Sequence, residues 1–214
     1  LSMSTSLRKE ILRKFFHLLE LPVLLSYSVV RFYWSERIAI LSLTGMFLLL
    51  LELEYVRLEM KPKIPKGWNV FRPHERNNVI SSIFFVAATI IVFAVFDFGI
   101  ALLALLLTVF GDLASALIGI KFGKHKIFRK KTLEGFLAGL MMNIFIGSLI
   151  LPEYPTIYIP MALVASTVEL LTSKLDDNLT VPLFSGFVGH LIAFYIQANV
   201  ATFPGPLANL FNLL

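Results

Sequence analysis

The stretch that decides the fold is LLALLLTVFGDLASALIGIKFGKHKIFRKKTLEGFLAG, residues 102–139. An apolar run ends at Phe110, and Gly111 and Asp112 follow while the sequence stays largely apolar. A short loop then carries six cations, and a second apolar run begins behind Thr132 and Glu134. The six are Lys121, Lys124, Lys126, Arg129, Lys130 and Lys131. Two apolar segments of membrane-crossing length with polar groups between them indicate a membrane helix pair around a polar site.

The composition of the whole chain is that of a membrane protein. Of its 214 residues, 57% are hydrophobic and 15% are charged, which is too apolar for a soluble domain. Cysteine is absent, so disulfides are excluded. We expect residues 1–6 to be a tag or disordered, and residues 7–214 to form one integral-membrane domain. The net charge of +5 lies in loops between apolar runs, so no nucleic-acid partner is expected.

The apolar runs predict an all-α, polytopic membrane bundle of about seven transmembrane helices. An amphipathic helix from residue 7 leads into the first span, and the tail 204–214 is predicted to lie in the interface. The predicted spans are 18–34, 38–56, 79–96, 99–120, 133–151, 156–173 and 182–198.

The distribution of cations predicts the orientation of the bundle. In a seven-span arrangement, all 19 Lys and Arg residues except Arg31 and Arg37 fall on one side of the membrane. Because cytosolic loops carry the excess of Lys and Arg, the N-terminus is predicted to be cytosolic. A bacterial or archaeal plasma membrane and the endoplasmic reticulum of a eukaryote would satisfy this pattern equally well.

Asp112 is the first candidate for chemistry, since it lies well inside the fourth predicted span. A carboxylate at the centre of a span costs about 2.5–3.5 kcal/mol on insertion scales. A metal ion, a cation or a water-filled cleft would compensate for that cost. The alternative is a structural tether between Asp112 and a lysine of the following loop.

The basic loop is the second candidate, because it turns directly into a helix start. Thr132 can cap that helix, whose free N–H groups favour an anion, and Lys130 and Lys131 lie just before it. A polyphosphate fits this arrangement, although the cations would also suit anionic lipid headgroups. Glu134 either compensates the helix dipole or, with Asp112, holds Mg²⁺ at the cytosolic face.

The third candidate is the acidic segment near the C-terminus. If its helix continues, Glu169, Thr172 and Asp176 share one face, and Asp177 and Asn178 follow at the membrane exit. Paired acids followed by Asn suit Mg²⁺, which takes one or two carboxylates plus phosphate oxygens. The alternative is an Asp- and Asn-rich turn between two helices.

Other polar residues in the predicted spans have structural interpretations. Glu54 and Arg57 are spaced to form an ion pair along one helix. Asn143 is predicted to make a hydrogen bond between helices.

These blocks together resemble a known family. The pattern Gly111-Asp112-x-x-x-Ala116-x-x-Gly119-x-x-x-Gly123-Lys124, followed by Lys131-Thr132-Leu-Glu134-Gly135, is similar to the polyprenol kinase family. That family contains dolichol kinase, phytol kinase and the CTP-dependent diacylglycerol kinase. Arg13-Lys14-x-x-His17 and the segment from Glu169 to Pro182 look like its flanking motifs, in the same order. The resemblance covers about residues 7–198.

The same segment, residues 111–135, also resembles the membrane CTP:phosphatidate cytidylyltransferases, which share the Asp, the Gly-Lys and the Lys-Thr-x-x-Gly. Their C-terminal signature, a Lys-Arg and Lys-Asp run ending in a Gly- and Asp-rich segment, is replaced here by Asp176-Asp177-Asn178. The shared part implies CTP as a substrate. The departure favours phosphoryl transfer over nucleotidyl transfer.

The resemblance therefore implies a CTP-dependent kinase that converts a long-chain isoprenoid alcohol of the dolichol or polyprenol type into its monophosphate and releases CDP. Alternatives are a cytidylyltransferase acting on a lipid phosphate, a kinase for phytol, geranylgeraniol or diacylglycerol, and a non-catalytic transporter or scaffold. The implied roles are catalysis by Asp112, Glu169 and Lys131; Mg²⁺ binding by Asp112, Glu134 and Asp176; and nucleotide or phosphate binding by Arg13, Lys14, His17, Lys124, Lys130, Lys131, Thr132, Asp177 and Asn178.

Overall fold

A computed structural model describes residues 18, 20–60, 79–129, 131–172 and 175–198. Four residues of the predicted site, Arg13, Lys14, His17 and Lys130, lie outside the described residues. The predicted N-terminal amphipathic helix and the tail 204–214 lie outside them as well.

The described residues form seven helices and one small hairpin, so the all-α prediction is confirmed. The hairpin was not predicted from the sequence, in which the basic segment is interpreted as a loop. Its strands pair antiparallel, with Lys126 opposite Thr132 and Phe128 opposite Lys131. In chain order the elements are α1 (Glu20–Tyr33), α2 (Glu36–Met60), α3 (Ser81–Val95), α4 (Phe98–Phe122), β1 (Lys126–Phe128), β2 (Lys131–Thr132), α5 (Leu133–Ile150), α6 (Pro155–Leu171) and α7 (Asp177–Ile196).

Four of the described helices, α2, α4, α5 and α7, are long and apolar enough to cross a bilayer. Helices α3 and α6 are apolar but shorter, and α1 has 14 residues. Large apolar side chains such as Met141, Phe194 and Leu41 are 69–78% exposed, as expected for helix faces that contact lipid. These features agree with an integral membrane protein. The number of seven spans and the cytosolic N-terminus stay predictions.

The chain divides into two compact units, residues 1–90 and 91–214. In the first unit α1 packs against α2, and the predicted pair of Glu54 and Arg57 is confirmed. The Arg57 guanidinium donates to both carboxylate oxygens of Glu54, at 2.7 and 2.6 Å. The N–H of Ile80 donates to the same carboxylate at 2.9 Å, so Glu54 also holds the segment that precedes α3.

The second unit is built around α4, which packs against α5, α6 and α7. Residues of all four helices form its apolar core, among them Leu103, Leu107, Ile146 and Met161. A buried polar contact also joins two of these helices, α5 and α6. The Asn143 amide donates to the Ser166 hydroxyl at 3.0 Å, which confirms the predicted hydrogen bond between helices.

The predicted boundary between the last two spans is wrong. Helix α6 ends at Leu171 and α7 begins at Asp177, five residues before Pro182, which lies inside the helix. The reason is that Asp176 acts as an N-cap, with its carboxylate accepting the N–H of Asn178 at 3.0 Å. Because α6 does not continue, Glu169, Thr172 and Asp176 do not share one helical face.

Candidate active site

The basic hairpin is fastened to the start of α5 by Glu134. Its carboxylate accepts the backbone N–H of Lys124 at 3.1 Å and that of His125 at 3.3 Å. The Nδ1 atom of the His125 ring lies 2.7 Å from the same carboxylate. Thr132 is the N-cap of α5 and accepts the N–H of Gly135 at 3.3 Å, which confirms its predicted capping role. A single carboxylate therefore holds the backbone before β1 against the start of α5.

Glycines let α4 and α5 approach closely at this level. A Cβ placed on Gly135 would lie 2.7 Å from the backbone oxygen of Ser115 and 3.2 Å from the Cα of Gly119. A Cβ on Gly123 would lie 2.7 Å from the Thr132 hydroxyl. Neither position has room for a side chain, so the hairpin lies directly against the end of α4.

Glu169 of α6 lies at the centre of the site, and its side chain is only 10% exposed. The Ser115 hydroxyl of α4 donates to its Oε1 atom at 2.5 Å. Lys131 of β2 donates to the backbone carbonyl of Glu169, and its Nζ atom lies 3.8 Å from Oε1. A buried carboxylate, a hydroxyl and a cation thus come together from three separate elements.

Asp112 lies one helical turn before Ser115 and is 9% exposed. The Ser115 hydroxyl is also 3.2 Å from the backbone oxygen of Asp112. On the α5 side, a Cβ on Gly139 would lie 3.1 Å from the Ser115 Cβ and 3.8 Å from the Glu169 Oε2. The structure therefore brings Lys131 and Glu169 into contact and places Asp112 on the adjoining turn of α4.

The start of α7 is linked to the end of α6 beside this cluster. The hydroxyls of Thr172 and Thr180 lie 3.3 Å apart across the connection between the two helices. Asp177 is partly buried in the first turn of α7, and Asn178 is 2% exposed. Asp176 caps the helix, as described above. Thr172 follows Glu169 by three residues, so the connection from α6 to Asp176 and Asp177 begins about one helical turn after Glu169.

The three predicted Mg²⁺ ligands do not form one cluster. Within the described part of the chain, no group of three or more His, Asp or Glu side chains is arranged to hold a metal ion. The Glu134 carboxylate is directed at the loop backbone, and Asp176 caps α7. Mg²⁺ often takes only one or two carboxylates and completes its shell with water and substrate phosphate oxygens. The metal-binding roles of Asp112 and Asp176 stay predictions.

Two residues of this site were not predicted from the sequence. Ser115 lies three residues after Asp112, so the helical period alone could have placed it near that acid. Its contact with Glu169 joins positions 54 residues apart, which no local pattern indicates. His125 had no local signal either, because its partner Glu134 is brought to it by the hairpin.

The model of the cytidylyltransferase family matches residues 3–180, which is most of the chain. The chain belongs to the cytidylyltransferase family. The matched region includes the hairpin, the Ser115–Glu169–Lys131 cluster and the first residues of α7. Membership points to an enzyme that acts on CTP in lipid-phosphate chemistry. No curated protein and no solved structure matches the chain.

Proposed function

We propose that this protein is a CTP-dependent kinase that transfers a phosphoryl group to a lipid alcohol within the membrane and releases CDP. The observation that carries the proposal is the Glu169 carboxylate, buried between a hydroxyl and a lysine at the base of a cationic hairpin. A buried carboxylate beside a phosphate-binding loop is suited to accept the proton of an attacking hydroxyl.

Phosphoryl transfer depends mainly on positioning and on neutralising charge at the phosphates. Lys131 is 36% exposed, so its ammonium can contact a bound phosphate while it remains attached to α6. The exposed Lys124 lies just before the same hairpin and adds a second cation to an anion site. Thr132 contributes by capping α5, since its hydroxyl accepts the N–H of Gly135 and holds the helix start beside Lys131.

The remaining roles follow the predicted motif. Asp112 and Asp176 would hold Mg²⁺, which when bound neutralises charge on the phosphate oxygens. Asp177 and Asn178 would orient the nucleotide from the first turn of α7. We assign Glu134 to holding the hairpin, since its carboxylate accepts two backbone N–H groups there. Arg13, Lys14, His17 and Lys130 keep their proposed role in phosphate binding.

The acceptor is proposed to be a long-chain isoprenoid alcohol that enters sideways from the lipid. Its tail would lie along exposed apolar helix faces, while its hydroxyl reaches Glu169 near the end of α6. Because the cationic loops are predicted to be cytosolic, CTP would arrive from that side.

Nucleotidyl transfer to a lipid phosphate is the second candidate, because membership of the cytidylyltransferase family is compatible with either reaction. That reaction would attack the α-phosphate of CTP and release pyrophosphate. The replacement of the expected C-terminal signature by Asp176-Asp177-Asn178 favours the kinase.

The position of a label separates the two reactions. The purified protein, in nanodiscs with Mg²⁺ and a mixture of lipid alcohols and lipid phosphates, is given CTP labelled at the γ- or the α-phosphate. A kinase moves the γ label into lipid and leaves the α label in CDP. Lipid labelled only from the α position, with pyrophosphate released, would refute the kinase assignment. The Asp112→Asn variant serves as the negative control.

A further inference from the structure

We propose that Ser115 is a positioning residue that holds the Glu169 carboxylate in the orientation needed to accept the proton of the lipid hydroxyl. The inference rests on the proposed function and adds to it a residue that the motif leaves unspecified. Its basis is the 2.5 Å hydrogen bond from the Ser115 Oγ to the Glu169 Oε1, which joins α4 to α6.

The Ser115 hydroxyl behaves differently from four buried helix hydroxyls among the described residues. Buried Ser and Thr side chains commonly donate to the carbonyl four residues earlier in their own helix. Ser28, Thr89, Thr108 and Ser185 do so, at 2.7–2.9 Å. Ser115 has a carbonyl within reach as well, that of Asp112 at 3.2 Å, but its contact with Glu169 is much shorter. A hydroxyl has one proton, and Ser115 donates it in a hydrogen bond to the carboxylate, which is the stronger acceptor.

Lys131 and Ser115 hold different parts of Glu169. The lysine donates to the backbone carbonyl of Glu169, and at 3.8 Å its ammonium lies beyond hydrogen-bond range of Oε1. Lys131 therefore fixes the end of α6 relative to the hairpin, while Ser115 fixes the side chain. Gly139 of α5 lets this part of α4 lie close, because a Cβ there would lie only 3.1 Å from the Ser115 Cβ.

The test is a double-mutant cycle between Ser115 and Glu169, followed as CTP consumption. We expect Ser115→Ala to lower kcat about 10- to 100-fold, the range for a lost hydrogen bond to a charged group, with KM for CTP changed less than about twofold. In a Glu169→Gln background, Ser115→Ala should lower kcat less than about twofold, since the carboxylate that Ser115 positions is gone. Ser185→Ala removes a buried helix hydroxyl away from the cluster and should leave kcat unchanged.

An equal loss of kcat from Ser115→Ala in both backgrounds would overturn the proposal, as would a change confined to KM. If the alanine variant does not fold, Ser115→Thr and Ser115→Cys replace it. Threonine keeps the hydroxyl and should retain most of kcat, whereas the weak thiol donor should not. Equal activity of the two would also overturn the proposal.

The outcome for Ser115 can be separated from that for the proposed function. If wild-type protein consumes CTP but releases pyrophosphate, the kinase assignment fails, while the coupling between Ser115 and Glu169 is still measured. If CDP is released and the effects of the two substitutions on the activation free energy are additive, the kinase assignment holds and the role of Ser115 fails.

Discussion

Replacing Gly135 by Ala tests whether close contact between α4 and α5 positions the site. The new Cβ would lie 2.7 Å from the backbone oxygen of Ser115 and 3.2 Å from the Cα of Gly119. Both neighbours are backbone atoms of α4, so no side-chain rotation can relieve the contact. The start of α5, including the Thr132 cap, would have to move away from α4.

The size of the movement follows from these distances. Ordinary contact begins at 3.4 Å, so the helices must separate by about 0.7 Å at this point. Overpacking of this kind costs about 1–3 kcal/mol, offset by about 1 kcal/mol of better helix propensity for Ala. Because Lys131 lies just before α5, its ammonium would shift relative to Glu169. Misplacement approaching 1 Å can cost up to about 100-fold in rate, and we expect kcat to fall at least about 10-fold.

Gly45→Ala is a matched control, because a Cβ at Gly45 in α2 would meet no atom within 4 Å. Thermal unfolding in detergent and CTP consumption are measured for both variants. Gly135→Ala should lower both Tm and kcat, whereas Gly45→Ala should keep kcat and hold or raise Tm. If the Gly135→Ala variant keeps the Tm and kcat of the wild type, the glycine contact does not position the site.

Four further predictions concern other parts of the molecule. Lys131→Met should raise KM for CTP about 10-fold or more in steady-state kinetics, while the exposed Lys126→Met should change it little; equal effects would refute a specific role for Lys131. Glu134→Gln should raise KM for CTP and speed proteolysis of the hairpin, because the carboxylate that holds two loop N–H groups is lost; unchanged proteolysis would contradict this role. Glu54→Gln should destabilise the protein by about 1.5–3 kcal/mol, seen as a lower Tm, because the mostly buried Arg57 loses its charged hydrogen bonds to the Glu54 carboxylate; an unchanged Tm would refute it. Removal of divalent cations with EDTA should abolish CTP turnover, and Mg²⁺ should restore it; full turnover in EDTA would remove the metal-binding role of the acids.

The sequence alone determined the features that depend on neighbours along the chain. The apolar runs predicted the helices, with bounds for α4 within two residues of those observed. The Thr132 cap and the Glu54–Arg57 pair were also predictable, because each joins residues three positions apart on one helix. The resemblance of the motif around Asp112 and Lys131 to known families implied CTP, in agreement with the family match.

Only the tertiary structure decided how these parts meet. The hydrogen bond between Ser115 and Glu169 spans 54 positions and forms because packing brings α4 against α6. Glu134 was assigned to metal from its position, but folding of the hairpin directs its carboxylate to the loop. Helix α7 begins at Asp177, whereas the proline predicted a start at Pro182. The reason is that the Asp176 side chain caps the helix there. Contacts between distant segments depend on packing, which the order of residues along one segment does not specify.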